Sequence, residues 1–338
     1  MAWKLALCAC FFLGTLQAGC HRSPAATEND PRPAATAESE PSHASLKPQA
    51  QNETSLLDAT TSRAPAAARI VAIGDLHGDL KAAKRAFLLA GAIDNKDAWV
   101  GGPLVVVQTG DVLDRGNDEL ALLAFLDHSE QAAKQAGGHL YRLNGNHEVM
   151  NVQGDYRYVT EQGFKAYASE PNTGRPDAAQ LPAEQRGRGE AFLPGGRQAR
   201  KLAQLPVVWI VGDTVFAHGG ILPSHLRYGL DQINAEIATW MRGEAPLPGK
   251  LQGDQTPFWI RDYGEENVGD AACAKLDLVL GVLKAARLVV GHTPQKSGIT
   301  FGCSQHLARI DVGLSSYYGN NPTQVLEIAG SVMRVLRD

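Results

Sequence analysis

IVAIGDLHGD at Ile70–Asp79, LVVVQTGDVLDRG at Leu104–Gly116 and LYRLNGNHE at Leu140–Glu148 share one grammar: a short apolar run, a glycine, then Asp, His or Asn. An apolar run of four or five residues without polar alternation predicts a strand buried on both faces. Leu80–Ala90 and Glu119–Ala136, lying between these runs, have helical spacing and are stopped by Gly91 and by Gly137–Gly138. Strand, helix, strand, helix, strand in this order predicts parallel pairing. The polar residues then fall in loops beyond the C-terminal strand ends, where rigid elements aim them at one place.

The second half repeats the device. Val207–Val211 and Thr214–Ala217 flank Gly212–Asp213, a tight turn between paired strands, and HGG follows at His218–Gly220. Leu288–Val290 leads into GHT at Gly291–Thr293, His306–Val312 reads as a further strand, and Gln324–Ile328 with Ser331–Leu336 closes the chain around Ala329–Gly330. The expectation is an α/β fold with two central β-sheets flanked by helices. Residues 149–206, polar and rich in arginine, glycine and proline, read as a cap inserted between two of the motifs.

These residue types dictate a chemistry. Asp75, His77 and Asp111 are expected to hold one metal ion, and Asp111, Asn146, His218 and His292 a second, with Asp111 bridging. Mixed carboxylate, imidazole and amide donors suit Mn first, then Fe or Zn, whereas Ca takes oxygen alone. Two cations roughly 3.5–4 Å apart clamp a phosphoryl group and acidify a water between them, so a bridging hydroxide attacks phosphorus in line. His147, beside Asn146, is read as the general acid for the departing oxygen, with Asp114 orienting it. Arg115 offers a planar fork to phosphate. Arg261 and Arg197 are weaker phosphate candidates, each equally readable as an ion-pair residue, and His128, His139, His225 and His306 lack a comparable context.

Composition bounds the rest. The 338 residues are 44% hydrophobic and 20% charged, ordinary for a globular chain, and the formal charge of -4 without a basic stripe excludes general nucleic-acid affinity. Lys4, an apolar stretch over Leu5–Leu16 and Ala18-Gly19-Cys20 read as a signal of the bacterial lipoprotein kind, with Cys20 lipidated, the membrane reached through that lipid, and an extracytoplasmic location in the periplasm or cell envelope. Residues 21–67, rich in Pro, Ala, Ser and Thr, read as a disordered linker. Such a tether of about 45 residues spans roughly 40 Å. The folded domain is placed at 68–338. It keeps two cysteines, Cys273 and Cys303, whose pairing depends on a spatial separation that sequence does not carry.

On GDLHGD, GDVLDRG, GNHE, HGG and GHT the chain resembles the calcineurin-like metallophosphoesterases, in their phosphoprotein phosphatase branch. Pro294, where many other metallophosphoesterases carry a second histidine, fits that branch. VMNVQGDYRYV (Val149–Val159), PGGR (Pro194–Arg197), INAEIATWMRG (Ile233–Gly243), GHTPQKSG (Gly291–Gly298) and RIDVGLSS (Arg309–Ser316) extend the resemblance to the Shewanella-like protein phosphatases. It implies a phosphomonoesterase acting on phosphoprotein or phosphopeptide, with phosphotyrosine somewhat favoured. Two other readings stand beside it. Diadenosine tetraphosphate hydrolases share the early motifs, which leaves a small-molecule or dinucleotide phosphoester hydrolase open. A non-catalytic binding lipoprotein is the reading from another class, against which stands the complete ligand set.

Overall fold

Each apolar run does become a short strand, and the strands assemble into two sheets. The computed structural model describes residues 62–265 and 267–338; the signal segment, Cys20 and most of the expected linker lie outside them. One sheet has five strands, β2 (Ile70–Ile73), β3 (Val105–Gln108), β4 (His139–Arg142), β10 (Gln324–Ala329) and β11 (Val332–Arg337), in the order β11-β10-β2-β3-β4. Within it β2, β3 and β4 run parallel, as the alternation with α1 (Leu80–Leu89) and α2 (Glu119–Gln135) requires. The other sheet has six strands, β1 (Arg63–Ala64), β5 (Val208–Val211), β6 (Thr214–Ala217), β7 (Arg287–Val290), β8 (Thr300–Gly302) and β9 (Leu307–Arg309), in the order β1-β5-β6-β7-β9-β8.

The two sheets share a core. Val71, Ile73 and Val107 of the first sheet, Phe87 and Leu122 of its helices, and Phe216, Val289 and Ala308 of the second form one buried cluster. Burying a side chain of this size contributes about 1.5–3 kcal/mol. The far face of the second sheet is covered by α9 (Leu230–Met241) and α10 (Asp270–Leu283), through Ile233, Ile237, Leu276 and Leu280. From the third motif to the fourth the chain forms α3 (Asn146–Gln153), α4 (Glu161–Lys165), α5 (Pro176–Ala179), α6 (Arg186–Phe192) and α7 (Arg197–Leu202), and α8 (Pro223–Tyr228) lies between β6 and α9.

Two expectations change, and a pairing that the sequence left open is decided. Part of the expected linker is ordered: Arg63–Ala64 pairs parallel with β5, and the backbone N–H and hydroxyl of Ser62 both donate to Asp231 at 2.6 Å. Two ladder residues leave too short a pattern to read. The strand expected over His306–Val312 keeps its ladder only over Leu307–Arg309, because Asp311 turns out of register and accepts the Gly313 N–H at 2.9 Å. Cys273 of α10 and Cys303 are joined in a disulfide, with Cα atoms 5.2 Å apart.

Candidate metal centre and catalytic dyad

All the expected ligands follow strand ends: Asp75 and His77 follow β2, Asp111 follows β3, Asn146 and His147 follow β4, His218 follows β6 and His292 follows β7. Loop backbone holds the loops together, with the N–H groups of Leu76 and His77 donating to the Asp111 carbonyl at 3.0 and 2.9 Å. Ten non-glycine residues have positive φ among those described, and five of them are His77, Asp111, Asp114, Arg115 and His292. Such backbone costs about 1–3 kcal/mol per residue and persists where surrounding structure over-determines it. At Gly110, with φ +98°, a Cβ atom would lie 2.5 Å from the Gly145 nitrogen, so this crossing of two site loops requires glycine.

Glu148, absent from the sequence-derived set, is the fastener of the three loops. Its Oε2 accepts from Gly145 and Asp111 N–H at 2.7 and 2.8 Å, and its Oε1 from Val112 and Leu113 at 2.9 and 3.1 Å. Burial and the nearby Asp111 push its carboxyl pKa up, while the backbone donors pull the other way. As the third residue of α3 it reaches back to the N-cap N–H, the signature that GNHE carries in sequence.

Proton placement tests the metal reading. A carbonyl only accepts, so each ring nitrogen facing one carries the hydrogen. His77 Nδ1 faces the Leu113 carbonyl at 3.0 Å, His218 Nδ1 that of Thr109 at 2.9 Å, and His292 Nε2 that of Trp259 at 3.1 Å. The opposite nitrogens therefore present lone pairs, His218 Nε2 toward His292 Nδ1 at 3.1 Å, Asn146 Oδ1 at 2.9 Å and Asp111 Oδ2 at 3.2 Å. His77 Nε2 lies 3.7 Å from the same Asp111 oxygen. Burial lowers the pKa of His77 to about 3 and that of His292 to about 2, so neither ring supplies a second proton at neutral pH. Around His218 Nε2 these acceptors converge with no hydrogen between them and repel unless a cation stands there, so His218, His292, Asn146 and Asp111 fit a divalent metal. Possible ligand atoms lie close enough to share one ion in two groups, Asp111 with His218 and His292, and His77 with Asp111 and His147, the second of which also receives the Arg115 N–H on His77 Nε2.

Asp75 sits beside them, its carboxylate accepting the His292 N–H at 3.2–3.3 Å. Burial, Asp311 and Asp111 raise its pKa well above the usual carboxylate range, and burial with Asp111 raises that of Asp311 to about 6. Asp311 is a second residue that the motifs missed, although RIDVG repeats the same strand-then-aspartate grammar.

His147 is built differently. Its Nδ1–H donates to Asp114 Oδ2 at 2.6 Å, and its Nε2 faces Asp111 Oδ2 at 3.8 Å. Burial disfavours the charged ring, but Asp111, the hydrogen bond to Asp114 and the charge of Asp114 outweigh it and raise its pKa above the ordinary histidine value. Arg115 lies next to this dyad. Its Nη1–H donates to His77 Nε2 at 2.6 Å and to the Tyr318 hydroxyl, and the rings of Tyr158, Tyr317 and Tyr318 surround the guanidinium at 5.2–5.4 Å. Arg261 is adjacent, donating to Thr293 Oγ1 at 3.0 Å and to the His292 carbonyl at 3.4 Å. Arg197 takes the ion-pair reading instead, with Nε and Nη2 on Glu170 at 3.0 and 2.8 Å in the inserted segment. Residues 149–206 supply a wall of the site through Tyr158 and a buried anchor beneath it, Arg188.

Residues 68–296 match the family model of calcineurin-like phosphoesterases. The chain is 38% identical over 292 residues to Shewanella-like protein phosphatase 2 of Arabidopsis thaliana, covering 77% of this chain and 75% of that one. It is 27% identical over 285 residues to Shewanella-like protein phosphatase 1 of Plasmodium berghei, covering 80% and 74%. The fold matches that of a cold-active protein-tyrosine phosphatase from a psychrophilic Shewanella species, with a TM-score of 0.66, 23% identity and 82% of each chain covered.

Proposed function

The chain belongs to the calcineurin-like phosphoesterases, with Shewanella-like protein phosphatases among its homologues, and on that footing we propose that it is a dinuclear, metal-dependent phosphomonoesterase that acts on phosphoproteins, phosphotyrosine ahead of phosphoserine and phosphothreonine. As a family member it is a hydrolase of phosphoric esters. The observation that carries the finer reading is the juxtaposition of proton-free ligand atoms with a histidine whose proton is held by a buried carboxylate. Asp75, His77 and Asp111 would hold one cation and Asp111, Asn146, His218 and His292 the other, Mn being the first choice. Two divalent cations supply charge neutralisation of the phosphoryl group and an acidified water as nucleophile.

The protein's own residues do the rest. Arg115 and Arg261 bind and orient phosphate oxygens, for which the guanidinium fork of Arg115 is matched. His147 gives its Nε2 proton to the ester oxygen as the P–O bond breaks, and Asp114 stabilises the ring in the charged form. Preference for an aryl ester is supported by the ring surfaces of Tyr158 and Tyr317, 40% and 61% exposed beside Arg115, which offer planar apolar area to a substrate ring. Chelation should abolish release of phosphate from phosphotyrosine, phosphoserine and phosphothreonine peptides, Mn should restore it, and His147→Ala should lose it. Turnover of a dinucleoside polyphosphate but no peptide would move the reading to a small-molecule hydrolase. Binding without turnover of anything would leave a binding lipoprotein.

We also place the protein outside the cytoplasm, anchored by lipid on Cys20. The Cys273–Cys303 disulfide supports an oxidising compartment. Membrane fractionation of the full chain and of Cys20→Ser tests it: recovery of both in the soluble cytoplasm would sink the placement.

A further inference from the structure

Arg188 of α6 heads the largest fully buried side chains among the described residues, and it belongs to the inserted segment rather than to any motif. All five of its N–H groups have acceptors. Nε donates to Asn151 Oδ1 at 2.7 Å, Nη1 to Glu119 Oε2 at 2.6 Å and the Gly163 carbonyl at 3.2 Å, and Nη2 to Glu119 Oε1 at 3.1 Å and Asp114 Oδ1 at 3.3 Å. The rings of Phe192 and Tyr167 lie 4.7 and 5.4 Å from its guanidinium. No donor is left for a substrate, and none can reach it.

What the guanidinium touches is the support of the His147 dyad. Asp114 uses Oδ2 for His147, while its Oδ1 accepts from Arg188 and from Asn151 Nδ2 at 2.9 Å. A carboxylate turns about its last side-chain torsion unless both oxygens are engaged, so the donors on Oδ1 aim Oδ2 at the imidazole. Arg188 also sets Asn151, because taking the amide oxygen leaves Nδ2 toward Asp114 and the His147 carbonyl, 2.9 Å away. Glu119, held on both oxygens by Arg188, accepts the Asp114 N–H at 2.7 Å and steadies a residue whose φ is +68°. Three routes therefore run from one arginine to one carboxylate.

We propose that Arg188 is a positioning residue for proton transfer: the inserted segment clamps Asp114 and thereby holds His147 where it protonates the leaving oxygen. This rests on the reading of His147 as general acid. In that step the P–O bond breaks, its electron pair stays on oxygen, and the proton comes from His147 Nε2. Loss of the clamp must then be felt most where the leaving oxygen is most basic, because general acid assistance follows Brønsted behaviour.

The test is the ratio of kcat/KM for an alkyl phosphate (a phosphoserine peptide) to that for 4-nitrophenyl phosphate, in Mn-loaded full-length protein. The ratio does not depend on the fraction of molecules that is folded. His147→Asn should collapse it by about 10²-fold or more, and Arg188→Met by about tenfold or more, with 4-nitrophenyl phosphate turnover changing far less. Arg188→Lys, which keeps the charge without the fork, should fall between wild type and Arg188→Met. Metal-free protein offers a readout without turnover, the far-downfield proton resonance of the His147–Asp114 hydrogen bond, expected in wild type and lost in Arg188→Met. Should Arg188→Met yield no soluble protein, Arg188→Met/Glu119→Gln removes a stranded carboxylate and answers the same question. Equal losses on both substrates with the resonance intact would overturn the proposal while leaving His147 as the acid. An unchanged ratio in His147→Asn would defeat the general-acid reading itself, and this inference with it.

Discussion

The strand-end loops and the inserted segment hold their charged groups by opposite means. In the loops the partners are backbone: Glu148 takes four N–H groups, and the rings of His77, His218 and His292 are oriented by carbonyls. In the segment one side chain, Arg188, is matched mainly to other side chains, Glu119, Asp114 and Asn151. Backbone partners come with the loop conformation, so the candidate ligands are oriented by the same loops that carry them. Side-chain partners come only when a distant part of the chain docks. The candidate metal centre is thus oriented within the strand-end loops, and the candidate His147–Asp114 dyad through contacts with the inserted segment.

That contrast can be broken at its strongest point. Asp111→Asn weakens a donor shared by both candidate metal groups, so bound Mn per chain and phosphoester turnover should both collapse, read by elemental analysis and initial rates. A fully loaded variant would remove Asp111 from the bridge. Next in size is Glu148→Ala. It strands four buried N–H groups, each costing about 1–3 kcal/mol, so a denaturant melt should show a loss of several kcal/mol; a loss below about 1 kcal/mol would mean that the loops hold without their fastener.

The pH dependence of metal binding separates the ligand cluster from the rest. Asp311, with its pKa at about 6, and Asp75, also raised, keep protons in the folded state at pH values where the unfolded chain has lost them. Their contribution to stability is present at low pH and is lost as pH rises from about 4 through 6, a loss of roughly 3 kcal/mol for a shift of the size seen at Asp311. A cation replaces those protons. The rise in Tm on adding Mn should therefore be larger at pH 7.5 than at pH 5, and equal increments would show that these carboxyls do not compete with the metal. The smallest effect belongs to the inserted segment's surface. Arg197→Ala removes a half-exposed ion pair with Glu170, worth below about 1 kcal/mol, and kcat should stay at the wild-type value.

Legibility followed the same division. The β2, β3 and β6 runs and the residues after them are readable because strand and candidate ligand are neighbours in sequence, whereas Asp311 escapes because the apolar pattern extends the expected strand through it while the ladder stops at Arg309. Glu148 was visible in GNHE but not its task, since three of its four donors lie 35 to 37 residues away. Arg188 could not be told from the other arginines of its segment. Arg197, in PGGR, looked the better phosphate ligand, and nothing local distinguishes an arginine bound for a carboxylate at the surface from one bound for the core.

By itself the sequence determined the α/β architecture, the strand-end loops with their donor set, and membership of the phosphoesterase family, because periodicity, glycine placement and ligand order are local and survive without a fold. Tertiary structure alone decided the Cys273–Cys303 bond, the pairing of Arg63–Ala64 with β5, and the choice of Arg188 over Arg197 as the buried anchor. Each of these joins residues 27 to about 150 positions apart, as at Arg197–Glu170 and Arg63–Ile210. Such a contact exists only once chain entropy has been spent on bringing the two ends together, and no local pattern encodes which ends will meet.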